Sequence, residues 1–317
     1  MPKTSEKPTL ELSQPVIVIV GPTASGKTDV AQEIARRVNG EVVSADSMQI
    51  YEGMDIGTGK LPAAERVVPH WGFDIRKPGE AYSASLFQEY ARTCFADIDA
   101  RGKRCVLAGG TGFYVRAAFD DYEFASGEQV GNPVREKWAA FLAEHGSQAL
   151  WDALNERDAE SAAIIHPNNS KRVVRALEML ELDGVSYASQ HKGLATLGQV
   201  VPALFFGLSV DPELLKKRIN ARVDGMFEAG LVDEVRALCE QGFTEALTAR
   251  EAIGYKEVVA ALEGRCSMEE ASEAIKLTTR RYAKRQRSWW RHDERVRWVA
   301  ADDGDVARMA DEIQQLL

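Results

Sequence analysis

The stretch VIVIVGPTASGKTDVA, from Val16 to Ala31, constrains this chain more than any other. Five consecutive β-branched residues run into Gly21-Pro22-Thr23-Ala24-Ser25-Gly26-Lys27-Thr28, a G-x-x-x-x-G-K-[ST] pattern. Such a run is apolar enough for a strand buried on both faces. After the loop, Val30, Ala31, Ile34, Ala35 and Val38 recur at helical spacing, and Gly40 is expected to stop that helix. A strand, a glycine turn and a helix in this order make a phosphate-binding loop. Gly21 and Gly26 let backbone N–H groups converge on an anion, and the helix N-terminus adds partial positive charge. Lys27 supplies a point charge, and the Thr28 hydroxyl suits Mg²⁺. The loop is expected to hold a di- or triphosphate, and by itself it does not say which molecule carries it.

Short apolar strands alternate with helical patterns, which predicts an α/β fold with a parallel sheet. Strands are expected at Val16 to Val20, Glu41 to Ser44, Arg104 to Ala108, Ala203 to Ser209 and Val296 to Val299. Residues 119–200 differ: PVREKWAAFLAEHG, SQALWDALNERD and SKRVVRALEMLELDG are helical patterns with no convincing strand among them. The expected organisation is a flexible tail at 1–14, a catalytic core at 15–118 and 201–317, and an all-helical insertion at 119–200. The tail is polar, without a signal-peptide core. No apolar run approaches the ~18 residues that span a bilayer. Four scattered cysteines without a C-x-x-C pair fit a reduced cytoplasm and argue against structural zinc.

A net charge of −9 does not suggest nucleic acid, but the average conceals a concentration of charge. KLTTRRYAKRQRSWWR, residues 276–291, holds seven Lys or Arg and no Asp or Glu, and the rest of the chain has 32 basic against 48 acidic residues. A basic segment of helix length is the electrostatic footprint of a polyanion partner. Its aromatics, Tyr282, Trp289 and Trp290, can stack on bases or be core residues.

Other polar groups fall at the carboxyl ends of the expected strands, where ligands bind in open α/β sheets. Asp46 follows the second strand and can be a general base, a metal ligand or a helix cap. Ser47 and Gln49 on the same turn can read a base edge or merely solvate a loop. The third long strand ends in Gly109-Gly110-Thr111-Gly112, where many ATPases carry an acid. A turn this small lets another molecule approach the backbone, or simply packs. Arg218 and Arg222 lie four apart and share a helix face, suited either to phosphate or to surface ion pairs. In the insertion, Arg172 and Arg175 also share a face.

Taken together, these motifs resemble the bacterial tRNA dimethylallyltransferases, or tRNA isopentenyltransferases. The matching segments are GPTASGKT, SADSMQIYEGMDIGTGK, AGGTGFYVRA, HPNNSKRVVRALEML, RVDGMFEAGLVDEV, AIGYKE and RRYAKRQRSWWR, in order from about Val16 to Trp298. The resemblance implies a P-loop-type core, dimethylallyl diphosphate as donor, Mg²⁺ as cofactor, and the exocyclic amine of the adenine 3′ of the anticodon as acceptor. It implies that Gly21, Pro22, Thr23, Ala24, Ser25, Gly26, Lys27, Thr28, Arg218 and Arg222 bind the diphosphate, with Mg²⁺ on Thr28. Asp46 would be the base, Lys27 and Arg222 would stabilise the leaving group, and Thr23 and Thr111 would line the channel where donor and adenine meet. Asp46, Ser47, Met48, Gln49 and Thr111 would flank the target nucleotide.

The anticodon stem-loop would be contacted by Arg135, by Lys171, Arg172, Val173, Val174 and Arg175, and by Ala252, Ile253, Gly254, Tyr255 and Lys256. Arg281, Lys284, Arg285, Arg287 and Arg291 would hold its backbone phosphates. A monomer that needs no protein partner and no membrane is expected. Two small departures stand out: the family's GTAKP is GTGKLP here, and the acid after HPN is Asn169. The rival readings are a small-molecule kinase, a prenyltransferase acting on free AMP or ATP, and a non-catalytic RNA-binding module.

Overall fold

Parallel pairing around one fully buried strand organises the chain. The computed structural model describes residues 10–124, 131–194, 197–246 and 248–317. The first elements are β1 (Val16–Val20), α1 (Lys27–Arg37), β2 (Gly40–Ser44), β3 (His70–Trp71), α2 (Ala84–Ala100), β4 (Arg104–Gly109) and α3 (Gly112–Phe119). Then come α4 (Pro133–Arg157), α5 (Ala159–Ile164), α6 (Ser170–Asp183) and α7 (Tyr187–Leu194). The chain continues through β5 (Ala203–Ser209), α8 (Pro212–Glu228), α9 (Leu231–Glu240), α10 (Tyr255–Leu262), α11 (Met268–Trp290), β6 (Val296–Ala300) and α12 (Val306–Gln314).

The strands form one sheet in the order β3-β2-β4-β1-β5-β6, and every pairing is parallel. β1 sits between β4 and β5, with Val18 opposite Leu107 and Phe205. Its alternation feeds two cores. Val16, Val18 and Val20 join Phe87, Phe95, Phe119 and Trp290 on one face, while Ile17 and Ile19 meet Ile34, Ile219 and Met309 on the other. Burying each such side chain contributes about 1.5–3 kcal/mol. The result is an α/β fold with helices on both faces of the sheet. Only β3, a two-residue strand at the sheet edge, is absent from the sequence expectation, because so short a segment has no periodicity to detect.

Two compact units emerge. One comprises Met1–Phe119 and Val200–Leu317, the other Asp120–Gln199. The second unit is built from α4 to α7 around Trp138, Leu150, Leu154, Val173 and Leu177. Its long first helix breaks at Gly146 (φ 82°, ψ 174°), which separates the two helical patterns of the sequence. No helix among the described residues is long and apolar enough to cross a membrane.

Two local expectations are corrected. Gly40 does not stop α1: Asn39 takes the left-handed turn (φ 53°), and Gly40 opens β2. A Cβ on Gly40 would lie 2.4 Å from the Arg104 carbonyl oxygen, so glycine is needed there for strand approach. The part of the tail that is described is tied down. Leu10 and Leu12 pack on the core, and Ser13 N–H donates to the Asp99 carboxylate at 3.1 Å. Residues 1–9 lie outside the described residues.

Trp290 is fully buried, which makes it a core residue rather than a base-stacking one. Trp290→Ala is expected to cost about 3–5 kcal/mol in urea unfolding, whereas Arg281→Ala on the exposed face of the same helix should cost under about 0.5 kcal/mol. Equal losses would contradict this placement.

Candidate active site

The carboxyl ends of β1, β2 and β4 open into a cleft of about 530 Å³. The phosphate loop from Thr23 to Thr28 lines it, together with Asp46, Gln49, Thr58, Gly59, Arg218, Arg222, Tyr282 and Gln286. Gly21 and Pro22 are buried behind the loop, and Pro22 contributes its carbonyl, which accepts from Lys27 Nζ at 2.7 Å. Ser25 is buried, and its hydroxyl has no hydrogen-bond partner. An unmet donor on a loop of converging amides is what an absent anion would leave behind.

The cleft's electrostatics are set by two crowded cations. Burial lowers the Lys27 pKa from its ordinary 10.5 to about 8; Asp46 opposes this shift and Arg222 adds to it. Burial also lowers the pKa of Arg222, against the pull of Asp46 and Asp29. The two arginines of α8 are not equivalent. Arg218 donates to the carbonyls of Ala301 (2.9 Å) and Asp302 (2.7 Å), while Arg222 donates through Nη2 to Thr58 at 3.2 Å. Arg222 thus keeps more donors for a ligand.

The turns after β2 and β4 are stitched together. Asp46 Oδ1 accepts from Met48 N–H at 2.9 Å, so the carboxylate also closes its own turn. Thr111 N–H donates to the Ala45 carbonyl, and Thr111 Oγ1 accepts from Ser47 N–H at 3.2 Å. Gln286 spans the site from α11. Its Oε1 accepts from Thr23 N–H (2.8 Å) and its Nε2 donates to the Gly110 carbonyl (2.9 Å). Tyr282 lines the cleft from the same helix, and burial pushes its pKa up to about 12.

Residues 49–293 match the family model described as IPP transferase, and residues 14–68 match isopentenyl transferase. A tRNA dimethylallyltransferase from Bacillus licheniformis is 46% identical over 90% of this chain and 90% of its own. The crystal structure of a tRNA isopentenylpyrophosphate transferase from Bacillus halodurans superposes with a TM-score of 0.69, at 40% identity, covering 96% of this chain and 95% of that one. A eukaryotic dimethylallyltransferase acting on tRNA reaches 0.79 at 28% identity, covering 95% of this chain and 78% of its own. The chain belongs to the tRNA dimethylallyltransferase (IPP transferase) family.

Family membership does not place each residue, and the geometry redistributes several. Thr23, Lys27, Thr28, Asp46, Arg218 and Arg222 meet in the cleft, but Thr111 does not line it; its Oγ1 accepts from Ser47 N–H at 3.2 Å and donates to Ser47 Oγ at 3.4 Å. The small Gly109–Gly112 turn is filled by the protein itself: added Cβ atoms would strike Ala45 O, Gln286 and the Trp289 ring. Gln49 faces the cleft, yet it accepts from Ser44 Oγ and donates to the Thr58 and Gly59 carbonyls, and Met48 packs against the core.

Among the residues the resemblance gives to tRNA, Val173, Ala252 and Tyr255 are buried, so their side chains are closed to a partner. Val174 is half-buried against the insertion core and Ile253 against the main core. Gly254 caps α10. Arg135 and Arg175 both pair with the buried Glu178, at 2.7 and 2.9 Å. Lys171, Arg172 and Lys256 are exposed. On α11, Arg281, Lys284 and Arg285 are exposed and Arg287 is half-buried, while Lys276 is tied to Asp224 and Glu273; Arg291, at the helix's C-cap, is exposed. Gln286 went unassigned in the sequence. Its signal was position: it lies on the buried stripe with Ile275, Ala283 and Trp290, where a polar residue needs a partner.

Lys27 yields a pH prediction. Its folded pKa (about 8) lies below its unfolded value, so the unfolded state binds more protons between about pH 8 and 10.5. Stability from this group therefore rises with pH across that window and is lowest below it. An anion held by the ammonium reverses the shift. Binding of inorganic pyrophosphate should take up a proton near pH 8 and weaken above it, by at most about tenfold per pH unit. Calorimetry in buffers of different ionisation enthalpy would detect this uptake, and a flat affinity from pH 7 to 9.5 would exclude Lys27 as the anion's partner.

Proposed function

We propose that the chain transfers a dimethylallyl group from dimethylallyl diphosphate to the N6 amine of the adenine immediately 3′ of a tRNA anticodon. The products are N6-isopentenyl-adenosine in tRNA and pyrophosphate. The observation that carries this reading is the meeting of a phosphate loop, two buried cations and the Asp46 carboxylate in one cleft.

An adenine amine is a weak nucleophile, because its lone pair is delocalised into the ring. It needs a base and a fixed geometry. Asp46 accepts the N6 proton as the nitrogen–carbon bond forms. The carbon–oxygen bond to the diphosphate breaks, and its electron pair leaves with pyrophosphate. Lys27, Arg222 and the loop amides meet that developing charge, in a site where water is partly excluded. The Ser25 hydroxyl is suited to donate to a phosphate oxygen. Mg²⁺ fits here as a companion of the diphosphate. Thr28 sits on the cleft, and no group of three or more His, Cys, Asp or Glu among the described residues could hold a metal alone. Thr28 Oγ1 and diphosphate oxygens would hold the ion, which supplies further charge stabilisation to the leaving group.

The acceptor is a base in an anticodon loop, and flipping it out costs a few kcal/mol, roughly, in a single-stranded region. The exposed cations Arg281, Lys284 and Arg285 of α11 and Arg291 at its C-cap neutralise backbone phosphates, with Arg287 beside them. Lys171 and Arg172 on the helical unit and Lys256 on α10 add further contacts. We take the enzyme to act as a cytoplasmic monomer.

The decisive assay offers radiolabelled dimethylallyl diphosphate and Mg²⁺ to unmodified tRNA and, in parallel, to AMP. Label is expected in the tRNA alone; label in AMP alone would replace this reading with adenylate prenylation. Asp46→Ala should lower the single-turnover rate by at least ~100-fold while leaving tRNA affinity within about threefold. A mutant that keeps most of its rate removes Asp46 from the role of base. Replacing Arg285 and Arg287 by Ala should flatten the salt dependence of tRNA binding by roughly one unit per lost phosphate contact.

A further inference from the structure

Glu234, in the first turn of α9, does not line the cleft and takes no part in the chemistry above. Its carboxylate nevertheless gathers four donors. Oε2 accepts from the N–H groups of Asp55 (3.1 Å) and Ile56 (2.7 Å). Oε1 accepts from Gly57 N–H (3.2 Å) and from the Tyr255 hydroxyl (2.5 Å). Three successive amides turned onto one carboxylate oxygen pair form the kind of concavity that backbone makes around an anion, filled here by a side chain.

The loop so held is a wall of the cleft. Thr58 and Gly59 line it, and the Thr58 carbonyl accepts from Arg222 Nη2. Arg222 lies so close to this backbone that a Cβ on Gly59 would stand 1.9 Å from Nη2. On the opposite side, the Tyr255 ring presses on Gly57, where a Cβ would stand 2.4 Å from Cε2. The loop is therefore gripped from both sides. Glu234 and Tyr255 fix it from outside the cleft, and Arg222 takes its register from the inner surface. The sequence departure at residue 59 falls at this contact.

We infer that Glu234 is a positioning residue for Arg222: with Tyr255 it sets where the 55–59 loop stands, and so where the guanidinium meets the diphosphate. This rests on the proposed role of Arg222 at the diphosphate. It also gives Tyr255 a task that its burial allows and direct tRNA contact does not.

The test is calorimetric binding of inorganic pyrophosphate with Mg²⁺, alongside tRNA affinity and thermal unfolding of each variant. Glu234→Gln should weaken pyrophosphate binding by about tenfold through misplacement of the guanidinium, with tRNA affinity held within about twofold. In an Arg222→Gln background the same change should add less than about twofold, because both substitutions act on one contact. Tyr255→Phe keeps the ring against Gly57 and removes one donor; it should shift pyrophosphate affinity in the same direction by about threefold, and it decides the matter if Glu234→Gln does not fold. A folded Glu234→Gln protein that binds pyrophosphate like wild type, or effects that add fully in the double variant, would overturn the inference alone. Wild-type protein that fails to bind pyrophosphate would overturn the functional reading and the inference with it.

Discussion

The burial of two cations, Lys27 and Arg222, in one cleft is the constraint on which the rest of the site depends. Each is partly desolvated, each is held near the other, and Asp46 is the carboxylate that opposes the shifts of both. Two cations buried in one cleft are an unfavourable arrangement that an anion would relieve. The scaffold maintains it with neutral acceptors. The Pro22 carbonyl holds Lys27 and the Thr58 carbonyl holds Arg222. Neither acceptor neutralises its cation, so the charge stays available to a ligand.

The basic helix α11 serves two surfaces at once. Its exposed face carries Arg281, Lys284 and Arg285, and its inner face carries Ala283, Gln286 and Trp290. Gln286 joins the phosphate loop to the turn after β4, and Tyr282 lines the cleft from the same helix. The element with the strongest charge in the chain is thus also the one that fixes the backbone of the anion site. Long helices with two unlike faces do this readily, because residues three and four apart stay on one side.

Much of this was legible in the sequence, and the limits have physical causes. The strand, loop and helix from Val16 onward combined local pattern with apolar run length, so the core and its anion loop could be read directly. Asp46 was expected beyond the second strand and Arg218 and Arg222 on one helix face, and the parallel topology brings all three to one cleft. Residue roles within matched segments were less legible. Tyr255 and Val173 sit in segments shared with the family but point inward, and sequence similarity does not distinguish a side chain that touches a partner from one that supports its neighbour. Glu234 and Gln286 act through backbone amides and carbonyls, which leave no mark on the partner's side-chain identity. The glycines from Gly109 to Gly112 showed that something approaches the turn, not that the intruder is Gln286 or Trp289.

The junction with the helical insertion has a consequence of its own. Val200 N–H donates to the Phe119 carbonyl at 2.8 Å, so the main unit closes on itself where the insertion leaves and returns. Asp120 and Gln199 form a bridge on the insertion's side of the same junction. A segment whose two ends are already clasped behaves as a cassette: its interior can lengthen, shorten or be rebuilt with only a logarithmic change in closure entropy. Changes inside the insertion thus leave in place the hydrogen bond that closes the main unit.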